Sequence, residues 1–216
     1  SGKREGDMFL FTRSGRFAPG ANREVVSFVG EVTEKMRQET GMDVHAWSST
    51  LSPDLGTVVW ATFAEDLEHL EQGNDKLTMS DSFIDLADRG AGLFAGPLSD
   101  SLAQVVAGEV DLSAPTPNYV TSARAVAANG QLRAALAGGV EIAEAATRIT
   151  GVPTLFLVSA TGAYGGCAWS SGFTDIGQLE QAESALMADD SWIELIDRVG
   201  PSYAQGVAQS IYRLAS

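Results

Sequence analysis

Apolar positions along the chain change period in a fixed order, and the order occurs twice. Short apolar runs of strand length, Met8 to Arg13 and Tyr119 to Arg124, each pass through a glycine-containing loop into a long segment of helical spacing. In the first half that spacing is carried by Val25, Val26, Phe28, Val29, Val32 and Met36. Gly41 ends the first helical segment, and Gly151 with Pro153 just beyond ends the second. Two strands follow in each half, Val44 to Thr50 with Thr57 to Phe63, and Thr154 to Ala160 with Cys167 to Phe173. The turn residues Pro53-Asp54-Leu55-Gly56 and Gly162-Ala163-Tyr164-Gly165 predict hairpins between them. Broken helical regions come next, Asp66 to Gly90 and Asp175 to Val199. Their second pieces open with Ser82-x-x-Asp85 and Ser191-x-x-Glu194, which read as capping boxes. Gln104 to Ala107 and Ile211 to Ala215 are the predicted closing strands.

The repetition extends to residue identity. Gly56-Thr57-Val58-Val59-Trp60 with Asp66-Leu67 and Leu70-Glu71-Gln72 returns 109 positions later as Gly165-Gly166-Cys167-Ala168-Trp169, Asp175-Ile176 and Leu179-Glu180-Gln181. Asp81-Ser82-Phe83-Ile84-Asp85-Leu86 matches Asp190-Ser191-Trp192-Ile193-Glu194-Leu195 at the same offset. Upstream, Gly20, Arg23, Glu34 and Thr40-Gly41 match Gly130, Arg133, Glu144 and Thr150-Gly151 at an offset of 110, so one residue is gained or lost between the two predicted hairpin strands. The chain therefore reads as two βαββαβ repeats, residues 7–110 and 118–216. Between them lies a linker, 111–117, whose Pro115 and Pro117 fit neither a helix interior nor a central strand.

Strands such as Leu155-Phe156-Leu157-Val158 are apolar on both sides and call for cover on both sides. Helices supply one cover, and the sheet of the sister repeat is the simplest source of the other. The predicted fold class is α+β, with two tandem ferredoxin-like repeats packed sheet to sheet. The element order, the split second helical region and the two-sided strands resemble the dimeric α/β-barrel superfamily over nearly the whole chain, and within it the antibiotic biosynthesis monooxygenase type. That resemblance implies a small-molecule pocket between sheet and helices. The superfamily also holds lactone isomerases, stress-responsive barrel proteins, chlorite dismutase relatives that bind haem, and dye-type peroxidases, so the resemblance alone does not fix a chemistry.

Composition narrows the partners. A formal charge of −14, with eleven arginines and three lysines scattered singly, argues against nucleic acid and anionic membrane surfaces. The charged stretch Lys3-Arg4-Glu5 and the short run Met8 to Phe11 do not form a signal core or a membrane span. A single cysteine, Cys167, excludes an intrachain disulfide and fits a reducing, cytoplasmic setting. The chain has no dinucleotide fingerprint, Walker loop or nucleophile elbow, and its two histidines lack metal-ligand spacing, so no cofactor and no metal are expected. Homodimerisation is left open.

A duplicated chain offers an internal comparison. Trp60 and Trp169 are shared at equivalent positions and read first as core residues and second as ligand-stacking ones. His45 and Trp47, two apart and so on one strand face, stand where the second repeat has Leu155 and Leu157. His45 is thus the candidate base for a phenol or enol, with Arg13 as the group orienting a substrate oxygen. Trp47, Trp60, Asn74, Tyr164 and Trp169 are the candidate substrate contacts. The functional expectation is a binder of a small, largely apolar aromatic or polyketide-like molecule. Its enzymatic form is a cofactor-independent monooxygenase or isomerase. The alternatives are a sequestering protein and a haem protein using His69 as axial ligand, in the manner of the haem-binding relatives.

Overall fold

The computed structural model describes residues 8–20 and 22–216; the Lys3-Arg4-Glu5 stretch and the predicted boundary at residue 7 lie outside them. The elements follow the predicted order. They are β1 (Phe9–Arg16), α1 (Asn22–Thr40), β2 (His45–Thr50), β3 (Thr57–Ala64), α2 (Leu67–Thr78), α3 (Asp81–Gly90) and β4 (Ser99–Ala107) in the first half. The second half has β5 (Tyr119–Val126), α4 (Leu132–Thr150), β6 (Thr154–Ser159), β7 (Gly166–Phe173), α5 (Ile176–Ala188), α6 (Asp190–Val199) and β8 (Ala208–Leu214). The strands hydrogen-bond in the order β1-β3-β2-β8-β5-β7-β6-β4. Each half contributes its strands in the ferredoxin-like order, β4-β1-β3-β2 and β8-β5-β7-β6.

By contact the chain divides into two compact units, one of residues up to Leu102 with Arg213–Ser216, the other Ala103–Tyr212. The division cuts through β4 and β8. The later residues of β4 pair with β6, from Ala103 opposite Ser159 to Ala107 opposite Phe156. Ala215 and Ser216, just past β8, hydrogen-bond to Ala46.

Glycine ends both long helices as expected, Gly41 at φ 75° and Gly151 at φ 71°, a conformation that a β-carbon disfavours. Several local readings need correction, among them the start of β8, which is Ala208 and not Ile211. Helices α3 and α6 are capped by Ser80 and Asp189, which accept from the backbone N–H of Phe83 and Trp192, and not by Ser82 and Ser191. Those two hydroxyls bond the cap side chains themselves, at 3.1 Å and 2.5 Å. Strand β4 starts at Ser99, five residues before the predicted run, because its polar opening is held by partners in β1. Asp100 takes two hydrogen bonds from Arg13, both 2.7 Å, and Ser14 donates to the Ser99 carbonyl. Val26, counted in the apolar stripe, is 71% exposed; it lies round the helix from Val25, Val29, Val32 and Met36, which are buried.

In the first unit those α1 residues pack on Val44, Ala46, Val58, Trp60 and Ala64 of the sheet, with Phe28 and Phe94 against them. In the second unit α4 is built from small residues, including Gly138, Gly139, Ala143 and Ala146, and the bulk comes from the sheet. Phe156, fully buried, stacks on Trp169 with ring centroids 5.4 Å apart, and Tyr203 meets Trp169 edge-on at 5.3 Å. A second cluster of Val152, Phe173, Leu179 and Ala182 lies beneath α5. No helix among the described residues is long and apolar enough to cross a membrane.

Candidate functional site

Strand register sorts the candidate residues between the two faces of the first unit's sheet. In β3 burial alternates strictly, with Val58, Trp60, Thr62 and Ala64 buried and Thr57, Val59, Ala61 and Phe63 partly open. Ala46 is opposite Trp60, so both face the helices, whereas His45 is opposite Ala61 and Trp47 opposite Val59. Across the other edge of β3, Thr12 is opposite Ala61 and Ser14 opposite Val59. The face away from the helices therefore gathers His45, Trp47, Thr12, Ser14, Val59 and Ala61, all half-buried.

His45 and Trp47 come together as expected, their rings 5.7 Å apart. The imidazole is held by two residues that sequence reasoning did not single out. A guanidinium nitrogen of Arg37, in the last turn of α1, lies 2.8 Å from Nδ1, and an Asp43 carboxylate oxygen lies 2.8 Å from Nε2. A guanidinium has donors and no acceptor, so Nδ1 must present its lone pair and Nε2 must carry the hydrogen that Asp43 accepts. Arg37 is itself fixed by donating to the Val44 carbonyl at 2.6 Å. The ring is thereby locked in one tautomer and orientation, and its basic lone pair is already used. A signal for this cluster exists in the repeat: Arg37, Asp43 and His45 correspond to Thr147, Pro153 and Leu155, three polar-to-neutral changes within nine positions.

Trp47 adds a second feature. Its indole N–H is buried and, among the described residues, has no hydrogen-bond partner. Such an orphan costs about 1–3 kcal/mol unless water or a ligand accepts from it.

The other predicted site residues do not join this face. Trp60 is 4% exposed on the opposite face, donating its indole N–H to Thr33 at 3.1 Å, so Trp47 and Trp60 cannot stack on the same ligand. Trp169 is a core residue of the second unit, 9% exposed and donating to the Gly139 carbonyl at 2.9 Å. At both tryptophans the space between sheet and helices is packed with these rings and their neighbours. Arg13, opposite Trp60, is on the helix side too, where Asp100 pairs with it and raises its pKa. Asn74 is exposed on α2, and Tyr164 is 89% exposed in the β6–β7 turn. His69 is exposed in the first turn of α2, its backbone N–H held by the Asp66 cap. Cys167 is buried beneath the second unit's helices, and burial pushes its thiol up to about 11, away from reactivity. Among the described residues no group of three side chains is arranged to hold a metal ion.

With this geometry in hand, solved structures give the chain its place. A presumed monooxygenase of Fusobacterium nucleatum superposes with a TM-score of 0.73 at 10% identity, over 97% of this chain and 93% of that one. An anthrone oxidase-like protein superposes at 0.62 with 12% identity, over 99% and 93% of the two chains. A presumed chlorite dismutase does so at 0.58 with 11% identity, over 96% and 94%. This is the dimeric α/β-barrel fold. No protein-family model and no curated protein matches the sequence. The dimeric α/β-barrel assignment covers both repeats, since each of these neighbours is spanned along almost its full length.

Proposed function

We propose that this protein binds a small, largely apolar aromatic molecule, polyketide-like in its fused rings, against the sheet face that carries His45 and Trp47. The observation that carries the reading is the replacement of Leu155 and Leu157 by a locked imidazole and an indole with an unused donor, in an otherwise repeated scaffold. Neighbours of the same fold described as monooxygenase and anthrone oxidase-like support a cofactor-independent oxygenase as its enzymatic form.

In that form a base removes a proton from an activated ring carbon. The carbanion passes an electron to dioxygen, and the radicals join in a C–O bond. Loss of water then breaks the O–O bond and leaves a new carbonyl, so that anthrone and O2 give anthraquinone and H2O. His45 serves as the base only when Arg37 withdraws from Nδ1. The released guanidinium then stabilises the developing oxyanion. Oxygen uptake with anthrone as substrate tests this, with His45→Ala beside the wild type. A rate that the substitution leaves unchanged removes His45 from the chemistry, and no uptake by the wild type removes the oxygenase form.

The second reading is stoichiometric binding without turnover, a sequestering protein. It is favoured by the resting arrangement itself, in which the imidazole lone pair is capped by a cation. Tight binding of anthrone under air with no product selects it.

A further inference from the structure

We infer that the Trp47 indole N–H is a specificity-determining donor, selecting ligands that present an oxygen acceptor, a ketone, quinone or phenolate, over hydrocarbons of the same shape. This rests on the proposed binding face and names what its ligand must carry.

The four tryptophans provide the argument. Trp60 and Trp169 sit in the cores, and the fold supplies each with an acceptor, Thr33 Oγ1 at 3.1 Å and the Gly139 carbonyl at 2.9 Å. Trp192 is only partly buried and packs at the margin of the second core. Of the four, Trp47 has a buried N–H with no hydrogen-bond partner among the described residues. Its environment offers no substitute: across the strand pair it faces Val59, and the neighbouring imidazole has its ring nitrogens directed to Arg37 and Asp43. The sister repeat shows that the scaffold does not need an indole here, because Leu157 fills the equivalent position at 2% exposure with no polar atom to satisfy. A buried donor that the fold neither requires nor satisfies is the feature expected of a group kept for a ligand. It discriminates strongly, since a ligand without an acceptor leaves the donor desolvated and unpaired.

The test compares anthrone with 9,10-dihydroanthracene, the same ring frame with and without the carbonyl, titrated without oxygen into wild type and Trp47→Phe. The expected wild-type preference for anthrone is about tenfold, the size of one buried hydrogen bond, and it falls to near unity in Trp47→Phe. Indole N–H resonances read the same event directly. The Trp47 signal, assigned by its loss in the variant, moves downfield with anthrone and not with the hydrocarbon. Equal wild-type affinity for the two ligands overturns this inference and leaves the binding face standing, while binding of neither overturns both. Should Trp47→Phe fail to fold, the wild-type preference for anthrone over the hydrocarbon still decides.

Discussion

The two repeats solve one packing problem with opposite distributions of bulk. In the first unit the helix carries the large ring: Phe28 of α1 lies where a β-carbon on Gly90 would meet it at 2.0 Å, and the strand beneath carries Ala46. In the second unit the strand carries it. Phe156, the counterpart of Ala46, lies where a β-carbon on Gly139 of α4 would meet it at 2.1 Å, and Gly138, the counterpart of Phe28, receives Val199, the counterpart of Gly90. Volume is conserved while its source moves from helix to strand, which is how close packing tolerates divergence between copies. The same contrast reaches the other sheet face, where the first unit has His45 and Trp47 and the second has Leu155 and Leu157 at the equivalent positions.

The sharpest way to break the comparison is Phe156→Ala, which gives the second unit the first unit's strand residue without the helix ring that goes with it. A loss of about 3–5 kcal/mol in denaturant unfolding is expected. Gly139→Ala comes next, at about 1–3 kcal/mol, because Phe156 is fully enclosed and has nowhere to move. Gly90→Ala, against a half-buried Phe28, is expected to cost less than Gly139→Ala, and the reverse ranking would contradict the account. Thr33→Val orphans the Trp60 N–H and is expected to cost about 1–2 kcal/mol. The equivalent position in the second unit is already Ala143, with Trp169 bonded to backbone instead.

The smallest effect is one of pH. Burial raises the Cys167 thiol from 9.0 to about 11 and raises the Tyr203 phenol as well. The folded chain then holds protons that the unfolded chain releases, so this stability is complete below pH 9 and declines as pH rises toward 11. Thermal unfolding followed over that range is expected to fall less steeply in Cys167→Ala than in the wild type.

Much of this was legible before any coordinates, for physical reasons. Period changes, glycine stops and repeated identities located twelve of the fourteen strands and helices closely, because burial on one or both faces forces those patterns. The starts of β4 and β8 were not legible. Ser99, Asp100 and Ser101, like Ala208 and Gln209, are exposed, and partners distant in sequence hold them in strand form. The helix caps were displaced by two residues because Ser, Asp and Asn-like oxygens crowd both turns and only backbone geometry decides which one caps. The pairing of His45 with Trp47 followed from the two-residue period. The opposed faces of Trp47 and Trp60 did not, since they depend on the register between β2 and β3. Arg37 and Asp43 were visible as departures from the repeat, yet their meaning needed the helix C-terminus to be brought against the start of β2.

On the proposed reading the first repeat binds the ligand and the second only supports it. Calorimetric titration of anthrone without oxygen tests it most directly, comparing wild type with a variant carrying the second repeat's residues, His45→Leu with Trp47→Leu. One site per chain is expected in the wild type and none in the variant, with the variant folded by circular dichroism. Two sites per chain, or a variant that binds as the wild type does, would contradict it.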